Sequence, residues 1–156
     1  MAIDPERFGT DLRLLRNLDL IKSSRDSGND LSTRVRIDTL IDLDILTRNE
    51  NLVQALLLRF LTPAGSLTLL GHPDYGSRLF ELIGVLNTET NRNKAKLFTL
   101  EALQAEPRVK EIISVVVTQS QRDRTQMDIK VSLLPIDSDT LLNFVFPFFL
   151  ERGNET

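Results

Sequence analysis

QAEPRVKEI, Gln104 to Ile112, is where the chain changes its period. Ahead of it a helical pattern opens with Thr88 as cap and Glu89 near the positive end of the helix dipole. It runs to Ala105 with Leu97, Phe98, Ala102 and Leu103 gathered on one face. Pro107 ends it, because proline disfavours the α conformation of the residue before it and carries no N–H for the helical ladder. Immediately afterwards the apolar residues alternate: Ile113, Val115 and Val117 fall on one face of a predicted strand, Ile112, Val116 and Thr118 on the other. Glu106-Pro107-Arg108 therefore reads as a helix-to-strand corner. Opposite charges at a fixed separation can also present an acid-base fork to a partner, and the residues alone leave both readings open.

Beyond the corner the alternation continues. Met127, Ile129, Val131 and Leu133 are interleaved with Gln126, Asp128, Lys130 and Ser132, so one side meets a core and the other water. QRDR joins these two strands as a hairpin loop, and the turn-forming IDSD leads to a third run, TLLNFVFPFFL. There Leu142, Phe144, Phe146 and Phe148 face one way, Val145 and Phe149 the other. Three consecutive strands make an antiparallel meander. Pro147 cannot donate to a ladder, which argues that the last strand lies at an edge or ends there. An apolar edge strand is a template for another chain unless the protein's own helices cover it, and both outcomes stand at this stage.

Working toward the N-terminus, Thr47 and Glu50 have the spacing of a capping box, so a helix is expected from about Thr47. It carries Leu52, Leu56 and Phe60 on one stripe with Val53 and Leu57 beside it, and it stops at LTPAG, where Pro63 breaks and Gly65 turns. GHPDYG is a compact turn; Ser77 caps the short segment SRLFELI, and Gly84 ends it in a left-handed conformation. The opening FGTDLRLL and the polar SSRDSGND predict an extended arm and a tether with little helix or core. In RVRIDTLIDLDIL, Val35, Ile37, Ile41, Leu43 and Ile45 alternate with Arg36, Asp38, Asp42 and Asp44, as in a strand or a docked extended segment. The predicted fold class is α+β: helices packed on a small antiparallel C-terminal β-meander, with an extended N-terminal arm. The expected divisions are an arm over 1–46, an α+β domain over 47–150 and a tail over 151–156.

Composition narrows the function classes. The 156 residues suit one domain, and 19 basic against 22 acidic residues give a net charge of −3 with no basic stripe for nucleic acid or anionic lipid. No cysteine is present, which removes thiol nucleophiles, thiolate metal sites and disulfides, and suits assembly in a reducing cytoplasm. MAIDPERFGTDL lacks the apolar core of a signal peptide, and no run is long enough to span a bilayer.

Catalytic constellations are scarce. His72 lies near Asp74, with no recognisable nucleophile for such a pair to activate, and a structural turn uses the same residues. One histidine among dispersed carboxylates gives no metal-ligand spacing. Glu101 with Glu106, or Asp74 with Glu81, could flank a sugar as glycosidase acids do, although many acids on a small domain make such pairs by chance. Gly65, Gly71, Gly76 and Gly84 punctuate turns and form no phosphate loop. Tyr75 and Arg78 could line a partner site; the plainer reading is a tyrosine on the core and an arginine paired with Glu81. No enzyme, cofactor or metal is expected.

Taken together, NLVQALLLRFLTPAGSLTLLGHPDYGSRLFELIG, NTET, EPRVKEIISVVV and LLPIDSDTLLNFVFPF closely resemble the baseplate-wedge or sheath-initiator proteins of contractile tails. That family includes the small wedge subunit of contractile phages and the corresponding baseplate protein of type VI secretion. The likeness is strongest toward the extracellular injection particles such as the antifeeding prophage and the Photorhabdus virulence cassette. It covers about two thirds of the 156 residues, from Thr47 to Pro147, and rests on the TP-G turn, HPDYGSRL and EPR occurring in that order.

The resemblance implies a non-catalytic baseplate protein around the tail tube, in six copies per particle. Its partners would be the wedge proteins, the first ring of sheath subunits, and inner tube or hub proteins, in a phage tail-like particle that can be released from the cell. Sheath would polymerise from it by strand exchange. Glu106, Pro107 and Arg108 match the motif implicated in docking on the wedge. Leu142, Phe144, Val145, Phe146 and Phe148 fall in the strand expected to engage sheath. Two other functions attach to related proteins: a lysozyme-like peptidoglycan hydrolase in the phage branch, and an anti-adaptor that regulates sigma-factor proteolysis.

Overall fold

Alternation in the last third of the chain builds a three-stranded antiparallel sheet, and the rest of the protein is arranged on its inner face. In the computed structural model, which describes residues 8–15, 31–36, 40–136 and 138–151, the order along the chain is β1 (Thr10–Leu12), β2 (Thr33–Val35), β3 (Ile41–Leu43), β4 (Ile45–Thr47), α1 (Arg48–Leu61), α2 (Glu89–Gln104), β5 (Val109–Gln119), β6 (Gln126–Pro135) and β7 (Leu142–Phe149). The sheet order is β5-β6-β7, which makes the predicted meander and leaves β7 outermost. The fold is α+β, as the alternation and the helical periods predict.

Register decides which side chains reach the core. Met127 lies opposite Phe148, Ile129 opposite Phe146, Val131 opposite Phe144 and Leu133 opposite Leu142, so these pairs share the inner face. Straight alternation in β5 places Ile113 on that face with Val115; the structure corrects this. Ile112 pairs with Leu133 and Ser114 with Ser132, so one extra residue on β5 sits in a bulge. Ile113 is that residue. It is turned to solvent at 48% exposure, while Ile112, Val115 and Val117 all pack on the core.

The two long helices cover the inner face. In α2 the buried residues are Ala95, Phe98, Thr99, Ala102 and Leu103, a recurrence at i, i+3, i+4, i+7 and i+8. Leu97 falls off that stripe and is half-exposed, contrary to the face read from the sequence. Thr88 caps the helix by accepting a hydrogen bond from Asn91 N at 3.2 Å. From α1, Leu52, Leu56 and Phe60 enter the core, and the Phe60 ring meets Phe146 at 5.5 Å and Phe144 at 6.4 Å between centroids. Between the helices, Ser77 opens a 3-10 turn over Arg78–Leu82. Gly84 follows at φ +90° and donates its N–H to Leu150 O, fastening this segment to the end of β7.

The capping box at the start of α1 does not form. Thr47 makes no side-chain cap bond, because its backbone belongs to β4 and faces Thr10. Arg48 turns the chain into the helix at φ +53°. The Glu50 carboxylate accepts from Arg13 Nη2 at 3.1 Å instead of reaching back to Thr47.

The described parts of the arm are extended, as predicted, yet they contribute to the core: Phe8 is buried, and its carbonyl accepts from Asn51 Nδ2. β1 pairs with β4 across the expected boundary at 46/47. The alternating run of 34–46 is not one strand. β2 and β3 pair as a small antiparallel sheet whose Val35 and Ile41 are 75% and 74% exposed, so their alternation does not mark a core face. The chain then shifts phase, and Leu46 rather than Ile45 is buried. Ile37 and Asp38, also in that pattern, lie outside the described residues, as does the expected tail from residue 152 onward.

Candidate functional site

Two surfaces carry the residues singled out from the sequence. The first is the corner between α2 and β5. Backbone bonds from Glu106 N to Leu103 O, Val109 N to Glu106 O and Ile136 N to Arg108 O fix it between the helix end and the sheet. Pro107 is exposed at its apex. Glu106 points inward and is 6% exposed. Its Oε1 accepts from Arg108 Nε at 2.6 Å, and its Oε2 lies 3.6 Å from Arg59 Nη2. Burial pushes the Glu106 carboxyl up, but the Arg108 hydrogen bond and the charges of Arg108 and Arg59 outweigh it and hold the group below the ordinary carboxylate range.

The triplet's charges therefore close on one another. Glu106 is unavailable to a partner, and the accessible parts of the motif are Pro107 and the Arg108 side chain, 22% exposed. Arg59 is the residue that sequence reading misses here. It occupies the last turn of α1, with its guanidinium carbon 4.6 Å from the centre of the Tyr75 ring. Its Nε has no hydrogen-bond partner among the described residues. Burial raises the Tyr75 hydroxyl above its usual range, opposed by the Arg59 charge. Nothing in the helical pattern of α1 distinguishes Arg59 from a solvated arginine until Glu106 is known to face it.

A hollow of about 280 Å³ adjoins this cluster, lined by Arg59, Gly71, His72, Pro73, Asp74 and Tyr75 with Ala105. Arg78 binds Glu81 through two hydrogen bonds of 2.8 and 3.1 Å, the pairing expected one turn along. Among the described residues, no three His, Cys, Asp or Glu side chains group to hold a metal ion. No described helix is long and apolar enough to cross a membrane.

The second surface is the outer edge of β7. Its side chains divide sharply: Phe146 and Phe148 are buried, Leu142 and Phe144 pack partly against the core, and Val145 is 51% exposed. The strand is thus covered by its own helices on one face, while no strand pairs with its outer edge among the described residues. Alternate residues of an antiparallel strand direct both backbone groups to the same neighbour. Leu150 N donates to Thr125 O on the β6 side, so the even positions address β6, and Asn143, Val145 and Pro147 point outward. Pro147 offers a carbonyl only. Beside this edge runs a groove of about 260 Å³, walled by Leu15 and Leu46 of the arm side, Val53 and Leu57 of α1, and Asn143 and Phe144 of β7. Arg13, Glu50 and Gln54 form its polar rim.

The fold recurs in a solved structure. A chain from Geobacter sulfurreducens, whose crystal structure carries the provisional name tail lysozyme, matches with a TM-score of 0.58 at 22% sequence identity, over 67% of this chain and 93% of that one. At that identity the likeness shows a shared fold. No protein-family model and no curated protein matches the chain.

Proposed function

We propose that this chain is a structural component of the baseplate of a contractile tail or tail-like injection particle, where it docks on the wedge and starts the sheath. The observation that carries this reading is the outer edge of β7, whose Asn143 and Val145 backbone groups are directed away from the sheet. An incoming sheath strand would add there by backbone hydrogen bonds, with an inward side chain entering the groove between Val53, Leu57 and Phe144. Register follows from that fit, since a slip of one residue would turn the side chain away from the groove. The Phe146 and Phe148 side chains serve the protein's own core in this mechanism, and Val145 remains on the open face. The wedge would meet the corner at Pro107 and Arg108. Shared architecture with a chain named tail lysozyme agrees with this setting, as does the order of motifs in the sequence. The particle would assemble in a bacterial cytoplasm, with six copies around the tube.

Val145→Pro tests strand addition directly, because it removes an outward N–H and leaves the bonds from even positions to β6 in place. The expected result is a folded protein that still joins the baseplate while electron micrographs show particles without sheath. Sheaths of normal length on that variant would overturn the reading.

The name of the Geobacter structure favours a second reading, peptidoglycan hydrolysis. A glycosidase acid must hold a proton near neutral pH. Glu106 is held in the opposite state by Arg108 and Arg59, and Glu81 is likewise lowered by its hydrogen bonds to Arg78. Clearing of a peptidoglycan suspension by the purified chain, abolished by Glu106→Gln, would replace the structural reading with the enzymatic one. No clearing is expected.

A further inference from the structure

The segment between α1 and the Arg78–Leu82 turn is a loop pinned at its neck. Pro63 and Ser77 form a parallel bridge, with Ala64 N bonded to Ser77 O and Ser77 N to Thr62 O, both at 2.9 Å. Gly76 makes that closeness possible: at φ +109°, an added Cβ would stand 2.6 Å from Thr62 O. Ser77 Oγ also donates to Phe60 O at 2.9 Å, tying the neck to α1. The tip is equally ordered. Thr68 donates to Gly65 O through both N and Oγ1, Leu70 N and His72 N donate to Leu67 O, and Gly71 N donates to Thr68 O.

What this framework holds out is apolar. Leu69 is 99% exposed and Leu70 72%. Neither helps to bury the core, so the fold does not account for them. Moving a leucine side chain from water into an apolar site is favourable, and a hydrogen-bonded loop has already met the ordering cost that binding would impose. Single exposed leucines are common; an adjacent pair on a compact, hydrogen-bonded loop is what a preformed docking element presents.

We propose that the 63–77 loop is a docking knob, and that Leu69 and Leu70 insert into an apolar groove of a protein partner. The chemistry of the loop selects that partner. PAGSLTLLGHPDYGS contains no lysine or arginine, so nothing on it would hold an anionic lipid surface or nucleic acid. Gly71 and His72, which follow the leucines, line the hollow over Arg59 and Tyr75 beside the EPR corner. The knob and the corner are thus one continuous surface, and a partner docked at the corner has the knob within its footprint. Resting on the functional reading above, the inference assigns the groove to the wedge.

The test compares Leu69→Ser/Leu70→Ser, Arg108→Ala and Val145→Pro in the full chain against purified wedge subunits of the same particle. The double serine variant is expected to melt within about 2 °C of the parent, because exposed side chains contribute little to stability. It should bind wedge at least about tenfold more weakly, while Val145→Pro binds normally. Parent-like wedge affinity in the double variant overturns the knob. If Arg108→Ala is then still weakened, docking at the corner survives; if Arg108→Ala binds normally too, that reading falls with it. Self-association of the parent in sedimentation, abolished by the serines, would assign the leucines to a second copy and overturn the proposal. Parent binding to phosphatidylcholine vesicles, lost in the same variant, would overturn it in favour of a lipid surface.

Discussion

Glu106 links the corner's stability to its charge. Its carboxyl is held below the ordinary range, so the stability it confers is present above the usual carboxylate pKa of about 4.3 and is lost as pH falls through the lower folded value. Removing the charge leaves Arg59, itself only 8% exposed, without its counter-ion. Glu106→Gln is therefore expected to cost about 3 kcal/mol at neutral pH by urea denaturation. The gap from the parent should narrow as pH drops toward 3. Backbone demands differ among the glycines in the same manner. Gly76→Ala meets Thr62 O at 2.6 Å, whereas Gly71→Ala, at φ +84°, meets nothing within 4 Å. The first should cost about 2 kcal/mol or more and the second about 1 kcal/mol, read from paired melting curves. Ser77 and Gly84 were legible because caps and left-handed turns are written in local residue choice. Arg59 was not, since its role depends on a carboxylate 47 positions away in the 156-residue chain.

Among elements, periodicity located both long helices and all three strands of the meander, and failed wherever the phase changed within a run. β5 is the clearest case. Strict alternation puts Ile113 inside; the bulge inserts it as an unpaired residue and restores the inward phase for Val115. Ile113→Ser is accordingly expected to change stability by less than about 0.5 kcal/mol, and Ile112→Ser to cost about 1–2 kcal/mol. Similar losses at both positions in denaturant titrations would contradict this register. The start of α1 failed for a related reason: Thr47 and Glu50 have capping-box spacing, but strand pairing with the arm claims Thr47, and Arg13 claims Glu50. Local signals lose when a distant segment offers the same groups a partner.

Across the whole molecule, residues 8–15 of the arm are secured by amides on α1 as well as by burial of Phe8. Gln54 accepts from Leu14 N and donates to Leu12 O, both at 2.8 Å, while Asn51 donates to Phe8 O. Both amide side chains are buried. Gln54→Ala should cost about 2 kcal/mol, because two backbone groups lose their partner at once. Limited proteolysis of that variant should cut within residues 8–15 while the meander stays intact. Uncut protein under conditions that spare the parent would mean that β1 and β4 hold the arm unaided. None of this long-range tethering has a local signature, which is why the extension of residues 8–15 was legible and their anchoring was not.

Pro147 sets a limit on how firmly one neighbour can be held at the β7 margin. Only Asn143 and Val145 present outward donors ahead of it, so any single added ribbon gains a very short ladder. Used as proposed, each such contact would be weak and quickly reversible. Firm attachment would come from avidity, when the circle closes and many feeble grips act together. Mis-seated neighbours would fall away before closure, giving error correction without an energy source.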